Sequence, residues 1–262
     1  MILRIMSTTT DVHSAAREGF AREAGTYSRG RPDYPPELQA WLEETLALGP
    51  GRRVADVGAG TGKFCKLLSA TGAQVLAIEP VDEMRAEAAK LPGVVALAGT
   101  AQALPVADAS LDAIVCAQAF HWFATTDVLD EFARALKPGG RLGLVWNVRD
   151  ESVDWVRAIT ELITPYEGDA PRFYKGDWKK PFPHPRFGPL RETAFAYEHV
   201  GSAQQVVIDR FMSVSFLAAL PPAGKAHVQA ELEQLVATHP ALQGRAELRF
   251  PYRTLAFAAV KN

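Results

Sequence analysis

Val54-Ala55-Asp56-Val57-Gly58-Ala59-Gly60-Thr61-Gly62-Lys63-Phe64 decides how the rest of the chain is read. Apolar residues run into an aspartate. Three glycines follow at every second position, and Phe64, Leu67 and Leu68 then recur at helical spacing. The pattern predicts a buried strand, a tight glycine turn and the start of a helix at about residue 62. Lacking Cβ, glycine takes positive φ and lets a ligand lie against the backbone. The helix beyond it offers unpaired N–H groups at its N-terminus. Dinucleotide folds favour Gly-x-Gly-x-x-Gly, with a pyrophosphate on the helix end. Here the spacing is Gly-x-Gly-x-Gly, and Asp56 stands two residues before the first glycine. A carboxylate there repels pyrophosphate and suits a ligand with a cationic amino group. That points to S-adenosylmethionine rather than NAD.

Working outward, strand-like and helix-like segments alternate. Strands are predicted at 52–57, 73–78, 94–98, 110–117 and 141–146, with helices at about 62–70, 82–90 and 126–136. Lys137-Pro138-Gly139-Gly140 closes the last of these helices. Such alternation argues for right-handed βαβ units in a doubly wound, mostly parallel sheet. The strands are apolar without clear polar alternation, as in a sheet covered on both faces. Upstream, Pro36 opens a helix carrying Leu38, Trp41, Leu42 and Leu46, which Gly49-Pro50-Gly51 ends. After Asn147 the rhythm breaks. Helices are predicted at 152–166, 203–219 and 223–238, strands at about 191–199 and 247–260, and 168–190 is rich in proline, glycine and aromatics. The expected organisation is one domain over 1–262. Within it, a cofactor-covering segment spans about 15–50 and the sheet core about 51–150. Lid insertions span about 150–190 and 203–240, and a closing strand about 247–260.

Composition sets the bounds. Of 262 residues, 48% are apolar and 22% charged, and 28 basic against 30 acidic side chains leave a net charge of −2. No basic field for nucleic acid is expected. Cys65 and Cys116 read as buried, reduced core residues. The histidines are scattered without metal-ligand spacing, so no metal is expected. No apolar run is long enough for a membrane span, and Met1–Met6 lacks the form of a signal peptide. The expectation is a cytoplasmic protein with a small-molecule partner and an open oligomeric state.

In open parallel sheets, ligands sit beyond the carboxyl ends of the strands, near the switch point. Four segments are expected there. The glycine turn is the first. Glu79 closes the second strand, where a carboxylate can accept from both hydroxyls of a ribose. Thr100-Ala101-Gln102 follows the third strand, as a neighbour for adenine or a plain polar loop. Gln118-Ala119-Phe120-His121-Trp122-Phe123 follows the fourth. Phe120, Trp122 and Phe123 can wall a pocket beside a sulfonium cation, since an aromatic face attracts cations. His121 is either a general base for the attacking atom or a packed, hydrogen-bonded histidine.

Taken together, Val54–Phe64, Glu79-Pro80, Ala103-Leu104-Pro105-Val106, Gln118–Phe123 and Leu136–Gly140 resemble the class I S-adenosylmethionine-dependent methyltransferases. Tyr27–Pro35 and the Phe-His-Trp-Phe run resemble the small-molecule subgroup that includes trans-aconitate-methyltransferase-like proteins. The resemblance is strong over about 20–150 and looser beyond. It implies a Rossmann-like sheet of seven strands, the last antiparallel. It also implies that Asp56, Gly58, Gly60 and Gly62 line the methionine part of S-adenosyl-L-methionine and that Glu79 holds its ribose. Thr100 and Ala101 would lie near adenine and Gln118 beneath the sulfonium, with Tyr27 and Arg31 folding over from the N-terminal side. S-adenosyl-L-homocysteine would be the product. The fourth strand does not end in the Asn/Asp-Pro-Pro-Tyr pattern of enzymes that methylate amino groups of nucleic acids and proteins, which lowers those substrates.

The expected function is methyl transfer to an O, N or C nucleophile of a small molecule by in-line displacement. Two alternatives stay open at this stage: an NAD-dependent oxidoreductase, and a cofactor-binding protein without catalysis. Arg149, Arg157, Arg172, Lys175, Lys179 and Lys180 read mainly as a solvated basic face, able at most to orient an anionic acceptor.

Overall fold

The computed structural model describes residues 31–262. Tyr27 and the N-terminal part of the expected covering segment lie outside the described residues. Helix α1 (Leu38–Glu44) precedes strand β1 (Arg53–Val57), helix α2 (Cys65–Ala70), strand β2 (Gln74–Ile78), helix α3 (Asp82–Ala88) and strand β3 (Val94–Leu97). Then come strand β4 (Leu111–Ala117), helix α4 (Thr126–Ala135) and strand β5 (Leu136–Arg149). The second half holds helix α5 (Asp154–Ile163), strand β6 (Arg191–Gly201), short helices α6 (Arg210–Met212) and α7 (Ser215–Ala218), helix α8 (Pro222–Thr238) and strand β7 (Leu248–Val260).

The seven strands form one sheet in the order β3-β2-β1-β4-β5-β7-β6. Neighbours from β3 to β5 pair in parallel, whereas β7 runs antiparallel to both β5 and β6. The chain moves from β1 out to β2 and β3, then returns to place β4 on the other side of β1. The crevice at the carboxyl ends of β1 and β4 is therefore the switch point. The two-residue period of a strand explains the apolar runs. Val54, Val75 and Ala77 enter the core on one face, with α1 and α2. Ala55, Val57, Leu76 and Ile78 enter the core on the other, with α4. A third cluster joins α5, α8 and the segment around Phe211 to Phe250 and Tyr252 of β7.

Three local expectations are corrected. Helix α2 begins only at Cys65, so its N-terminus stands back from the glycine turn. Lys137–Gly140 is no loop but the start of β5, where the register to β4 shifts between Leu111 and Ala113 and Gly139 takes a φ of +71°. That bulge absorbs the extra residues without breaking the ladder. The helix expected over 203–219 is broken into a π-turn at Gln204–Asp209 followed by α6 and α7.

Candidate functional site

At the end of β1 the three glycines all occupy the left-handed region, with φ of +72° at Gly58, +57° at Gly60 and +80° at Gly62. This loops the chain back over β2, where the N–H of Gly58 donates to the carbonyl of Ile78 at 2.9 Å. Beyond the turn lies a cavity of about 180 Å³. Asp56, Gly58, Gly60, Glu79, Thr100, Ala101, Gln118, Trp122, Phe123 and Arg31 all line it. Four of these five segments, distant in sequence, thus meet because parallel strands deliver their carboxyl ends to one edge.

Two buried carboxylates dominate this cavity. Glu79 is held by the glycine turn itself: its Oε2 accepts from the N–H of Gly60 and its Oε1 from the N–H of Val81, each at 2.9 Å. Burial pushes its carboxyl above the usual range, and the two backbone bonds oppose that. Asp56 is 1% exposed. Its Oδ2 accepts from the thiol of Cys65 at 3.3 Å, while Oδ1 is buried with no hydrogen-bond partner. Desolvation raises it to about 7, Cys65 lowers it and the nearby Glu79 raises it further. A buried oxygen that nothing satisfies is costly unless a ligand donates to it. The hydroxyl oxygen of Thr100 is orphaned in the same way. The residues therefore fit S-adenosylmethionine: an unsatisfied carboxylate for an ammonium, a second carboxylate for hydroxyls, and a turn without Cβ atoms at Gly58 and Gly60.

From the open side, Lys63 pairs with Asp33 at 3.2 Å and also donates to the backbone carbonyl of Arg31. This draws the 31–34 segment across the cavity, where Arg31, Pro32 and Tyr34 contribute to its lining. Gln118 holds a φ of +59°, rare for a residue with a side chain, at the junction between this cavity and a second one.

The second cavity, about 120 Å³, shares Arg31, Gln118, Trp122, Asn147 and Arg210 with the first. Arg31, Arg149, Arg172 and Arg210 line it, against Glu151 as its one acid among the described residues. Arg149 and Arg210 both lie over the Phe211 ring, at 5.4 and 5.6 Å, and each keeps a buried Nη1 without a hydrogen-bond partner. Arg172 lies over Phe216 at 5.2 Å. Behind it, buried Glu167 accepts from Tyr174 at 2.5 Å and meets Lys175 at 2.9 Å and Arg172 at 3.3 Å. Desolvation and the neighbouring guanidinium of Arg149 bring Arg172 down to about 10, and burial together with Arg210 lowers Arg149.

His121 lines this second cavity rather than the first. Its Nδ1 accepts from the indole N–H of Trp146 at 3.0 Å. Burial, then Arg172 and Arg31, depress it to about 3. These surroundings oppose the general-base role, because the nitrogen that would take a proton is already accepting one and the charged form is disfavoured.

Other expectations also change. Gly62 does not line the cavity. A Cβ there would stand 2.6 Å from Cδ1 of Leu91 and 3.2 Å from Ala88, so this glycine serves the close packing of the turn against α3 and the Leu91 that follows it. Phe120 is fully buried in the core against Phe123, Phe132 and Phe182, and is not a pocket wall. Trp122 borders both cavities and Phe123 only the first. Arg149 and Arg172, read as part of a solvated face, turn inward. Arg210 and Asn147 were missed. Asn147 was detectable from its place at the carboxyl end of a parallel strand, whereas nothing near Arg210 in sequence marks it.

Comparison with known proteins agrees with this geometry. A family model described as a methyltransferase domain matches residues 55–144. An uncharacterized methyltransferase-like protein of Schizosaccharomyces pombe is 34% identical over 93% of this chain and 95% of its own. An uncharacterized methyltransferase of Mycobacterium tuberculosis is 40% identical over 92% of this chain and 94% of its own. A solved structure from Anabaena variabilis, described as a methyltransferase, shares the fold with a TM-score of 0.62 at 18% identity, over 88% of this chain and 98% of that one. With nearly full-length relatives of this kind, the chain belongs to the class I S-adenosylmethionine-dependent methyltransferases.

Proposed function

We propose that this methyltransferase acts on a small molecule whose nucleophile is an anionic oxygen, held in the arginine-lined second cavity. The observation that carries the reading is the pair of buried, unsatisfied Nη1 atoms of Arg149 and Arg210 beside the first cavity. Buried guanidinium N–H groups without acceptors are costly, and a planar fork matches a carboxylate. When bound, S-adenosylmethionine would supply a methyl carbon activated by its sulfonium, to which the acceptor bonds in line as the carbon–sulfur bond breaks and S-adenosylhomocysteine leaves. Asp56 would take the ammonium through Oδ1, Glu79 the ribose hydroxyls, and Thr100 and Ala101 would border the adenine. Gln118 and Trp122, common to both cavities, would sit at the point of transfer. An acceptor already anionic needs no base, which accords with the surroundings of His121. Residues 31–35 and the helices from α5 to α8 would act as the lid that excludes water. A small acceptor also accords with the subgroup that the sequence resembles.

The test is a thermal-shift titration of the protein saturated with S-adenosylhomocysteine. Glutarate at about 100 times its dissociation constant is expected to add roughly 2.7 kcal/mol of stability. Glutaramide, its uncharged analogue, is expected to add none, and Arg149→Met to abolish the glutarate effect. Equal stabilisation by the diamide would refute the anionic reading.

A further inference from the structure

Trp146 sits 1% exposed on β5, packed among Phe173, Trp178 and Phe257 with ring centroids 4.9, 4.6 and 5.9 Å away. Within this packing its indole N–H donates to Nδ1 of His121, 3.0 Å away. An indole N–H only donates, so Nδ1 must carry a lone pair. Turning the imidazole over would bring a ring carbon against the N–H and lose the bond. The proton of the neutral ring is therefore on Nε2. That nitrogen has no hydrogen-bond partner among the described residues and is not among the buried orphan atoms, so it meets the second cavity that His121 lines.

We propose that Trp146 is a positioning residue that locks His121 as the Nε2–H tautomer, and that His121 is an uncharged hydrogen-bond donor to the anionic methyl acceptor. This rests on the reading of the second cavity as the acceptor site. The arginines supply charge, whereas His121 supplies direction. A donor on the oxygen that does not attack orients a carboxylate while the attacking oxygen keeps its lone pairs. The charged groups around the imidazole are Arg31 and Arg172, with Arg149, Arg210 and Glu151 on the same cavity. Burial first, and then the excess of guanidinium, keep a positive charge off the ring, so the donor stays neutral across the physiological range.

The experiment is nitrogen-15 NMR of the histidine rings in the full chain saturated with S-adenosylhomocysteine, with glutarate as the probe. The expected result at pH 7 is a pyridine-like Nδ1 and a pyrrole-like Nε2 for His121, and a shift of the Nε2–H resonance when glutarate is added. A protonated Nδ1 would overturn the lock. If glutarate raises the melting temperature but leaves the Nε2–H resonance unmoved, the donor role fails while the anionic acceptor stands. If glutarate does not bind at all, the acceptor reading fails and the donor role falls with it. His121→Gln, which returns an amide N–H near the place of Nε2, should hold glutarate affinity within about threefold, and His121→Leu should lower it about 10- to 100-fold. Equal affinities in the two variants would also overturn the donor role. Trp146→Phe should release the second tautomer into the spectrum; because that residue is in the core, the wild-type spectrum decides the matter if this variant does not fold.

Discussion

Replacing Asp56 by asparagine tests the cofactor site through protons. In the unliganded protein, burial holds the Asp56 carboxyl near 7 instead of the 3.8 of an exposed aspartate. An ammonium arriving at the unsatisfied Oδ1 reverses the balance, so the ligand must expel a proton wherever the carboxyl was protonated. At pH 6 that is roughly 0.9 proton per binding event, and at pH 7.5 roughly 0.2. Affinity for S-adenosylhomocysteine should therefore rise roughly eightfold between these two values. Calorimetry at pH 6 in buffers of different ionisation enthalpy reads the released proton as a slope. Asp56→Asn should remove the slope and lower affinity at pH 7.5 by about 10- to 100-fold, the worth of a hydrogen bond to a charged group. The sign for stability is opposite. A carboxyl raised above its unfolded value favours the fold below about pH 4 and destabilises it as pH climbs towards 7. Without ligand, Asp56→Asn should thus be more stable than the wild type at pH 8, with a ceiling of roughly 4 kcal/mol. A slope that persists undiminished in the variant would refute the reasoning.

Two further outcomes follow from packing and charge. Gly62→Ala forces a methyl against Leu91 and Ala88 at a φ of +80°; it should cost about 1–3 kcal/mol of stability in denaturant melts, yet leave S-adenosylhomocysteine affinity within about twofold in the folded protein. Glu167→Gln removes the carboxylate that Arg172, Lys175 and Tyr174 share; stability should fall by about 3 kcal/mol, while glutarate should bind more tightly because the cavity gains net positive charge. A loss of glutarate affinity with unchanged stability would contradict that assignment.

The first cavity was legible because topology does the assembling. Once β1 to β4 are parallel, Asp56, Glu79, Thr100 and Gln118 must all arrive at one edge, whatever their separation in the chain. Spacing was less informative about direction. Gly58, Gly60 and Gly62 look equivalent in sequence, yet the last faces a helix, because a turn of left-handed residues rotates each α-carbon differently. Phe120 and Trp122 stand two apart in a 3₁₀ turn, where one ring enters the core and the other borders both cavities. The acceptor cavity was hidden for another reason. Arg149, Arg172 and Arg210 come from a strand end, an irregular segment and a short helix. No periodicity links such residues, and only the packing of the Phe211 cluster turns them inward.

The position of β7 bears on how the chain reaches this state. It lies between β5 and β6 and bonds to both, although it is translated after them. Until it inserts, β6 has no hydrogen-bonded neighbour among the described strands and β5 presents a bare edge. Both are templates for pairing with another chain. The nascent protein must carry these open edges through synthesis of the 202–247 segment, so the sheet is completed late and through contacts distant in sequence. A chaperone that shields strand edges would find its window there, and ribosome stalling within that segment should favour aggregation over folding.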